Sequence, residues 1–437
     1  MPTAVPSALT IRTYQVGFGD CFLVTFHYPK QDRHVLIDCG TVSLPPTAGA
    51  ASAYLTRVAT QIAKDCGGKL AAVVATHRHR DHVSGFSVKN GKGPGRIIRD
   101  LKPEVVVQPW TEDPRAKVDA TTPTEVTQLR GFQGSLDDIS SVAAHAVATA
   151  GRLTRVVGSD SAAELAIVGM DNIKNPDAVK NLQTMSKRRT YVYFGSSSGL
   201  EEVLPGVATR IIGPPTLKQS KAILKEQSSN PAEYWQLRAD FWSRQARAAK
   251  MSEARSGGGA GDGPLPWQTV RGSAMPLGTR WHRLRLLQEQ AASHLNIVRT
   301  LDDQMNNTSV ILLFTIKQSS FLFPGDAQYE NWSYALSQSD VLEMLRKVTV
   351  YKVGHHGSRN ATPKSMWKQL PVAAGKSAKR RLMTFLSTRE GVYGQAKSKT
   401  EVPRATLLTA LRDGSQLTNT EDFGKGVLSQ AVQIKVT

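Results

Sequence analysis

The stretch that most constrains this chain is Thr76-His77-Arg78-His79-Arg80-Asp81-His82. It follows an apolar run, Leu70-Ala71-Ala72-Val73-Val74-Ala75, with the length and composition of a buried strand. A small-residue turn, Val83-Ser84-Gly85, closes it. The end of a strand is a rigid place from which closely spaced side chains can converge on one point. His77 and His79 supply two imidazoles to one cation; Asp81 and His82 supply a carboxylate and an imidazole to a second, a few ångströms away. A lone histidine is commonly structural. Three histidines and an aspartate packed into His77–His82, directly after a buried strand, predict a metal site.

Three other stretches bear on the same chemistry. Near the start, Val16-Gly17-Phe18-Gly19-Asp20 precedes the apolar segment Val35-Leu36-Ile37-Asp38-Cys39-Gly40. Later come Phe321-Leu322-Phe323-Pro324-Gly325-Asp326-Ala327 and Lys352-Val353-Gly354-His355-His356-Gly357-Ser358. Taken with the first motif and in this order, they resemble the metallo-β-lactamase superfamily, whose members are mostly binuclear hydrolases. The His-His-Gly-Ser element resembles the ComEC-like branch, which includes the hydrolase domain of competence DNA-uptake proteins. The resemblance implies an α/β fold, a four-layer αββα sandwich carrying a helical insertion. It implies that His77, His79, Asp81, His82, Asp326, His355 and His356 surround two divalent ions, Zn or Mn, with Asp326 as the bridging carboxylate. Of the His355-His356 pair, one completes the second metal's shell and the other holds substrate or orients a ligand; Asp81 and His356 are expected to take part in catalysis. Asp38, Asn307, Ser309 and Ser358 are expected to stand behind the ligands and fix their orientation.

The chain also departs from the superfamily pattern. A further histidine ligand often lies between the first motif and the bridging aspartate. The histidines in that interval, His145, His282 and His294, have no strand-end context, and Asn306-Asn307-Thr308-Ser309 stands in that position instead. The first metal is then expected to be less fully held, which favours water or substrate ligands, weaker affinity, or Mn rather than Zn. A His-Pro dipeptide usual near the C-terminus of the branch appears here as Val402-Pro403.

Charge narrows the choice of partner. Lys and Arg number 55 against 36 acidic residues, a formal +19 over 437 residues. Such a balance favours polyanions, nucleic acid first and an anionic membrane surface second. It is locally concentrated at Lys187-Arg188-Arg189 and at Lys376-Ser377-Ala378-Lys379-Arg380-Arg381. No run approaches the roughly eighteen apolar residues of a membrane span, and no secretory signal is evident at the start. The three cysteines, Cys21, Cys39 and Cys66, form no metal pattern and read as small buried hydrophobes in a reducing compartment, the cytoplasm.

The motifs divide the chain into a first half of the fold over residues 1–215, a mostly helical insertion over 216–301, and a second half over 302–437. Strands are expected within 8–40, and a helix from Ala50 to Asp65 stopped by Gly67-Gly68. Further strands are expected at 103–109, 208–213, 310–316, 321–323 and 348–353, and a helix over 137–157. The insertion pairs a charged, aromatic-bearing helix over 218–255 with the glycine-rich linker 256–264 and a second helix over 281–297. Its roles are to cap the site, bind substrate, or mediate homo-oligomerisation.

Nitrogen and oxygen donors without thiolate suit Zn, Mn or Fe. Two cations sharing a water lower its pKa and stabilise charge on attacking and leaving oxygens. The expectation is a metal-dependent phosphodiesterase or nuclease working through a metal-bridging hydroxide. Its rivals are a hydrolase of a small molecule (cyclic nucleotide, phosphorylated metabolite, lactone or amide) and a binding protein that keeps the metal as scaffold.

Overall fold

The computed structural model describes residues 4–114, 175–224, 233, 305–372, 382–394, 396 and 400–436. The helix expected over 137–157 with His145, nearly all of the 216–301 insertion with His282 and His294, and the basic run 376–381 lie outside them.

Thirteen strands are formed by the described residues: β1 (Ala8–Tyr14), β2 (Cys21–His27), β3 (Arg33–Cys39), β4 (Ala72–Val74), β5 (Val105–Pro109), β6 (Arg188–Val192), β7 (Ala208–Gly213), β8 (Ile311–Ile316), β9 (Ser319–Phe323), β10 (Val348–Lys352), β11 (Leu382–Leu386), β12 (Ser415–Asn419) and β13 (Ser429–Lys435). They build two mixed sheets, ordered β13-β1-β2-β3-β4-β5-β6 and β12-β11-β10-β9-β8-β7. In the first, β3 to β6 run parallel and β13, β1 and β2 antiparallel. In the second, β9 to β12 run parallel while β7 and β8 are antiparallel. Parallel strands are covered on both faces, which is why β4 and β5 read as unbroken valine-rich runs rather than as alternation.

Three apolar clusters hold the structure together. One joins inward residues of the first sheet (Val24, Val35, Val74, Val107) to those of the second (Leu312, Phe314, Phe321, Val350, Phe385). Within it the rings of Phe26 and Phe314 meet edge to face at 5.2 Å. Successive side chains of a strand point to opposite faces, so Leu36 and Val73, neighbours of inward Val35 and Val74, belong to a second cluster. There they meet Tyr54, Val58 and Ile62 of helix α1 (Ala51–Asp65). The spacing of these three, one turn apart, is the amphipathic pattern that predicts the helix. α1 ends as its sequence requires: Gly67 and Gly68 have φ of 58° and 80°, and their amides donate to Lys64 O and Ala63 O, a Schellman closure. The third cluster sets Leu313, Leu322 and Tyr351 of the second sheet against Trp332, Val341, Leu345, Leu407 and Leu411 of the helices Tyr329–Leu336, Ser339–Leu345 and Ala405–Gly414.

Strands expected from the sequence recur within a residue or two. Elements without a sequence expectation include β6, the helices Pro94–Asp100, Pro176–Leu182, Tyr329–Leu336, Ser339–Leu345, Lys364–Gln369 and Ala405–Gly414, and β13, which returns the C-terminal segment to pair with β1 along its whole length. The basic cluster Lys187-Arg188-Arg189 opens β6 at the edge of the first sheet, where Arg188 pairs with Glu202 at 2.8 Å and Arg189 donates to Ser186 O. Part of its charge is therefore used locally. No helix among the described residues is long and apolar enough to cross a membrane.

Candidate metal centre

The motif residues gather where the carboxyl ends of parallel strands from both sheets meet, the crevice in which open α/β sheets place their ligands. β3 carries Asp38 next to its last residue, β4 leads to His77 and His79, β9 to Asp326, and β10 to His355 and His356. After β4 the chain runs through Thr76–His79 into the short helix α2 (Arg80–Val83), which carries Asp81 and His82. The two halves are joined through backbone at this point, since Val310 N donates to Thr76 O at 2.9 Å. Gly325, with φ of 55°, packs against Thr76 so closely that a Cβ there would lie 2.7 Å from the threonine Cβ.

One ligating atom from each of Asp81, His82, Asp326 and His356 lies within 4.8 Å of every other, and the same holds for His77, His79 and Asp81. Asp81 belongs to both groups. A third group, Asp20, Asp38 and His82, stands behind them. All these side chains are buried. His77 Nε2 faces His79 Nδ1 at 2.9 Å, and His356 Nε2 lies 2.7 Å from Asp81 Oδ2. His82 Nε2 and Asp326 Oδ2 stand 3.0 Å apart, yet neither makes an aligned hydrogen bond. They form a buried ion pair rather than a well-aligned hydrogen bond, and a cation between nitrogen and oxygen would engage both. The residues present therefore fit a metal, and the buried His/Asp clusters can hold metal ions.

Behind the ligating atoms, Asp38 accepts from Thr76 N and Thr76 Oγ1, each at 2.7 Å, and its Oδ2 lies 2.8 Å from His82 Nδ1. That contact makes Nδ1 the protonated nitrogen and turns Nε2 into the site. Likewise His356 Nδ1 donates to Ser387 O at 2.9 Å, which leaves its Nε2 facing Asp81. Ser309 Oγ accepts from Asp326 N at 3.3 Å, and Ser358 Oγ lies 3.0 Å from His355 Nδ1. Asn307 stands one step further away: its side chain donates to Glu330 Oε2 and accepts from Asn331 N. If the clusters hold a divalent ion, Asp38→Asn should weaken its affinity about 10–100-fold with the secondary structure intact, because the amide offers one acceptor where three donors converge. Competition with a chromogenic chelator measures this, and unchanged affinity would remove Asp38 from the site's support.

The adjacent histidines separate in role. His356 is fully buried within the first group, whereas His355 keeps 20% of its side chain exposed, with Nε2 4.0 Å from Asp326 Oδ2. Three non-glycine residues of the site have left-handed backbone: Asp38 (φ 54°), His355 (φ 43°) and His356 (φ 51°). Each such residue costs on the order of 1–3 kcal/mol, and such strain persists where surrounding contacts over-determine it.

The electrostatics follow from burial and from neighbours. Burial, with His82 and His79 alongside, pushes His77 well below the ordinary imidazole range, and burial brings His79 down to about 4. Burial would depress His82 too, but Asp326, Asp81 and Asp38 hold it well above its usual value. Asp326 and Asp81, which burial would raise, are held below the carboxylate range with His82 the largest opposing influence on each.

Several supporting residues carried no assignment in the sequence. Asp20, in the turn between β1 and β2, forms an ion pair with Lys352 at the end of β10. The sequence signal was a lysine inside the apolar run 348–353. Arg78, between the two motif histidines, makes a two-pronged pair with Glu112 at 2.7 and 2.9 Å, anchoring the loop from behind. No protein-family model matches the chain, and no curated protein matches it.

Proposed function

We propose that this protein is a binuclear metal-dependent hydrolase of the metallo-β-lactamase kind, of the ComEC-like branch, that cleaves phosphodiesters in nucleic acid. The observation that carries the reading is the convergence of His77, His79, Asp81, His82, Asp326 and His356, buried, from the strand ends of two sheets. The three apolar clusters, helix to sheet, sheet to sheet and sheet to helix, support the four-layer sandwich that the resemblance implies.

His77, His79 and Asp81 would hold one Zn or Mn ion, and Asp81, His82, Asp326 and His356 a second. Bound there, two divalent cations supply an activated water near neutral pH and a charge clamp for the phosphate. Asp38 and Ser387 O fix the tautomers that present His82 and His356 Nε2 inward. His355, the partly exposed imidazole of the set, is the one a substrate meets first, and Ser358 orients it. The formal +19 charge favours a polyanionic substrate. Three buried free thiols, Cys21, Cys39 and Cys66, suit a reducing compartment such as the cytoplasm. The 216–301 segment is proposed to cap the site, engage substrate or join copies of the chain.

The test is cleavage of labelled single- and double-stranded DNA and RNA by metal-stripped protein reconstituted with Zn or Mn, beside His79→Ala and Asp326→Ala. Cutting should require metal, vanish in both variants, and lose substrate affinity steeply as salt rises. A metal-loaded protein that cuts none of the four substrates would sink the nuclease reading and direct the search to small esters, amides and nucleotides.

A further inference from the structure

Lys352 occupies a position where a lysine is rarely found. It ends β10, is 3% exposed, and follows buried Val350 and Tyr351. A buried ammonium persists only when it is paired and hydrogen-bonded. Here its Nζ forms the ion pair with Asp20 Oδ2 and donates to Gly325 O at 3.2 Å and to Asp326 Oδ1 at 3.4 Å. These three acceptors match the three N–H donors of the ammonium.

The consequence falls on Asp326. Its amide is held by Ser309 Oγ, and its Oδ1 takes both Lys352 Nζ and the His355 amide, the latter at 3.1 Å. Its other oxygen, Oδ2, faces His82 Nε2 at 3.0 Å and His356 Nε2 at 3.5 Å. The carboxylate is thus divided, one oxygen bound by protein and one turned toward the candidate metal ligands. Rotating the carboxylate plane out of this division would break the Lys352 contact. We propose that Lys352 is a positioning residue, which makes Asp326 a one-oxygen donor by occupying Oδ1. The inference rests on the metal-centre reading above and specifies how that centre is held. Asp20 serves in it as the counter-charge that keeps the ammonium buried.

The test separates positioning from simple neutralisation of Asp20 by measuring Zn stoichiometry and affinity with a competing chelator. Wild type, Lys352→Met, Asp20→Asn and the double variant are compared, with circular dichroism and melting followed for each. Lys352→Met strands the Asp20 carboxylate and is expected to melt at lower temperature. The double variant removes both charges and should recover folding, yet bind Zn about tenfold or more weakly. Asp20→Asn alone, which leaves Lys352 on Asp326 Oδ1, should stay within about threefold of wild type on the same grounds. Wild-type affinity and stoichiometry in the double variant would overturn the proposal. So would an Asp20→Asn defect as large as that of Lys352→Met, a result that does not need the double variant to fold. Wild-type protein that binds no Zn or Mn would instead overturn the metal-centre reading itself, and the proposal with it.

Discussion

Replacing Asp81 with alanine is expected to empty both halves of the centre at once. Its carboxylate is common to the His77–His79 group and to the His82–Asp326–His356 group, whereas every other ligand of those two groups belongs to one of them. On the binuclear hydrolase reading proposed above, metal content should fall from about two ions per chain to near zero, and hydrolysis by about 10³-fold or more, equivalent to about 4 kcal/mol of transition-state stabilisation. His79→Ala should instead remove about one ion, the cation on its own side. Element analysis of purified variants reads the stoichiometry directly. If Asp81→Ala keeps one ion while Asp326→Ala keeps none, the joint between the two halves is Asp326, as the family resemblance implies, and not Asp81.

The second large effect is expected at a residue with no side chain. A Cβ on Gly40 would lie 2.4 Å from Asp81 C and 2.5 Å from both Asp81 O and His82 N. These are backbone atoms and cannot swing aside. The same contact is tied by hydrogen bonds from Asp20 N to Asp81 O and from Gly40 N to Asp20 O, each 3.0 Å. Gly40→Ala must therefore push α2 away from the end of β3, carrying Asp81 and His82 with it. The expected cost is about 3 kcal/mol of stability, at the upper end for overpacking, together with loss of metal binding. Gly49→Ala is the matched control: its added Cβ meets nothing within 4 Å, and its stability should stay within about 0.5 kcal/mol of wild type. Denaturant unfolding of the two variants checks both values. Equal stability would mean that the end of β3 and α2 do not touch as described.

Much of the site was legible because its ligands are concentrated in short motifs with fixed structural contexts. His77 to His82 follow an apolar run, and Asp326 and His356 follow two more, so each motif could be placed at a strand end before any fold was known. Of the four residues expected behind the ligands, Asp38, Ser309 and Ser358 each make a hydrogen bond to a candidate ligand or its amide. Asn307 instead serves the helix Tyr329–Leu336 through Glu330 and Asn331. Its neighbour two residues on has the contact, and spacing within a buried turn does not say which side chain faces which way. The Lys187–Arg189 cluster stays exposed at the start of β6, where Arg188 also pairs with Glu202 on the surface.

By itself the sequence determined most of the strands around the site, the helix Ala51–Asp65, the polar motifs at strand ends and the chemistry those donors permit. Periodicity, glycine stops and clustered histidines act over a few residues, and such local effects can be read along the chain. Only the tertiary structure decided that Asp81 is shared by two groups, that His356 is enclosed while His355 meets solvent, and that Lys352 reaches across to Asp20 and Asp326. These depend on distances between residues hundreds of positions apart, such as the 2.7 Å from Asp81 to His356. Those distances are set by how two sheets pack through a shared core of Val74, Phe314, Val350 and Phe385. A buried charge acquires its role from whatever that packing brings within reach, because away from water the partner decides whether the charge is stable at all.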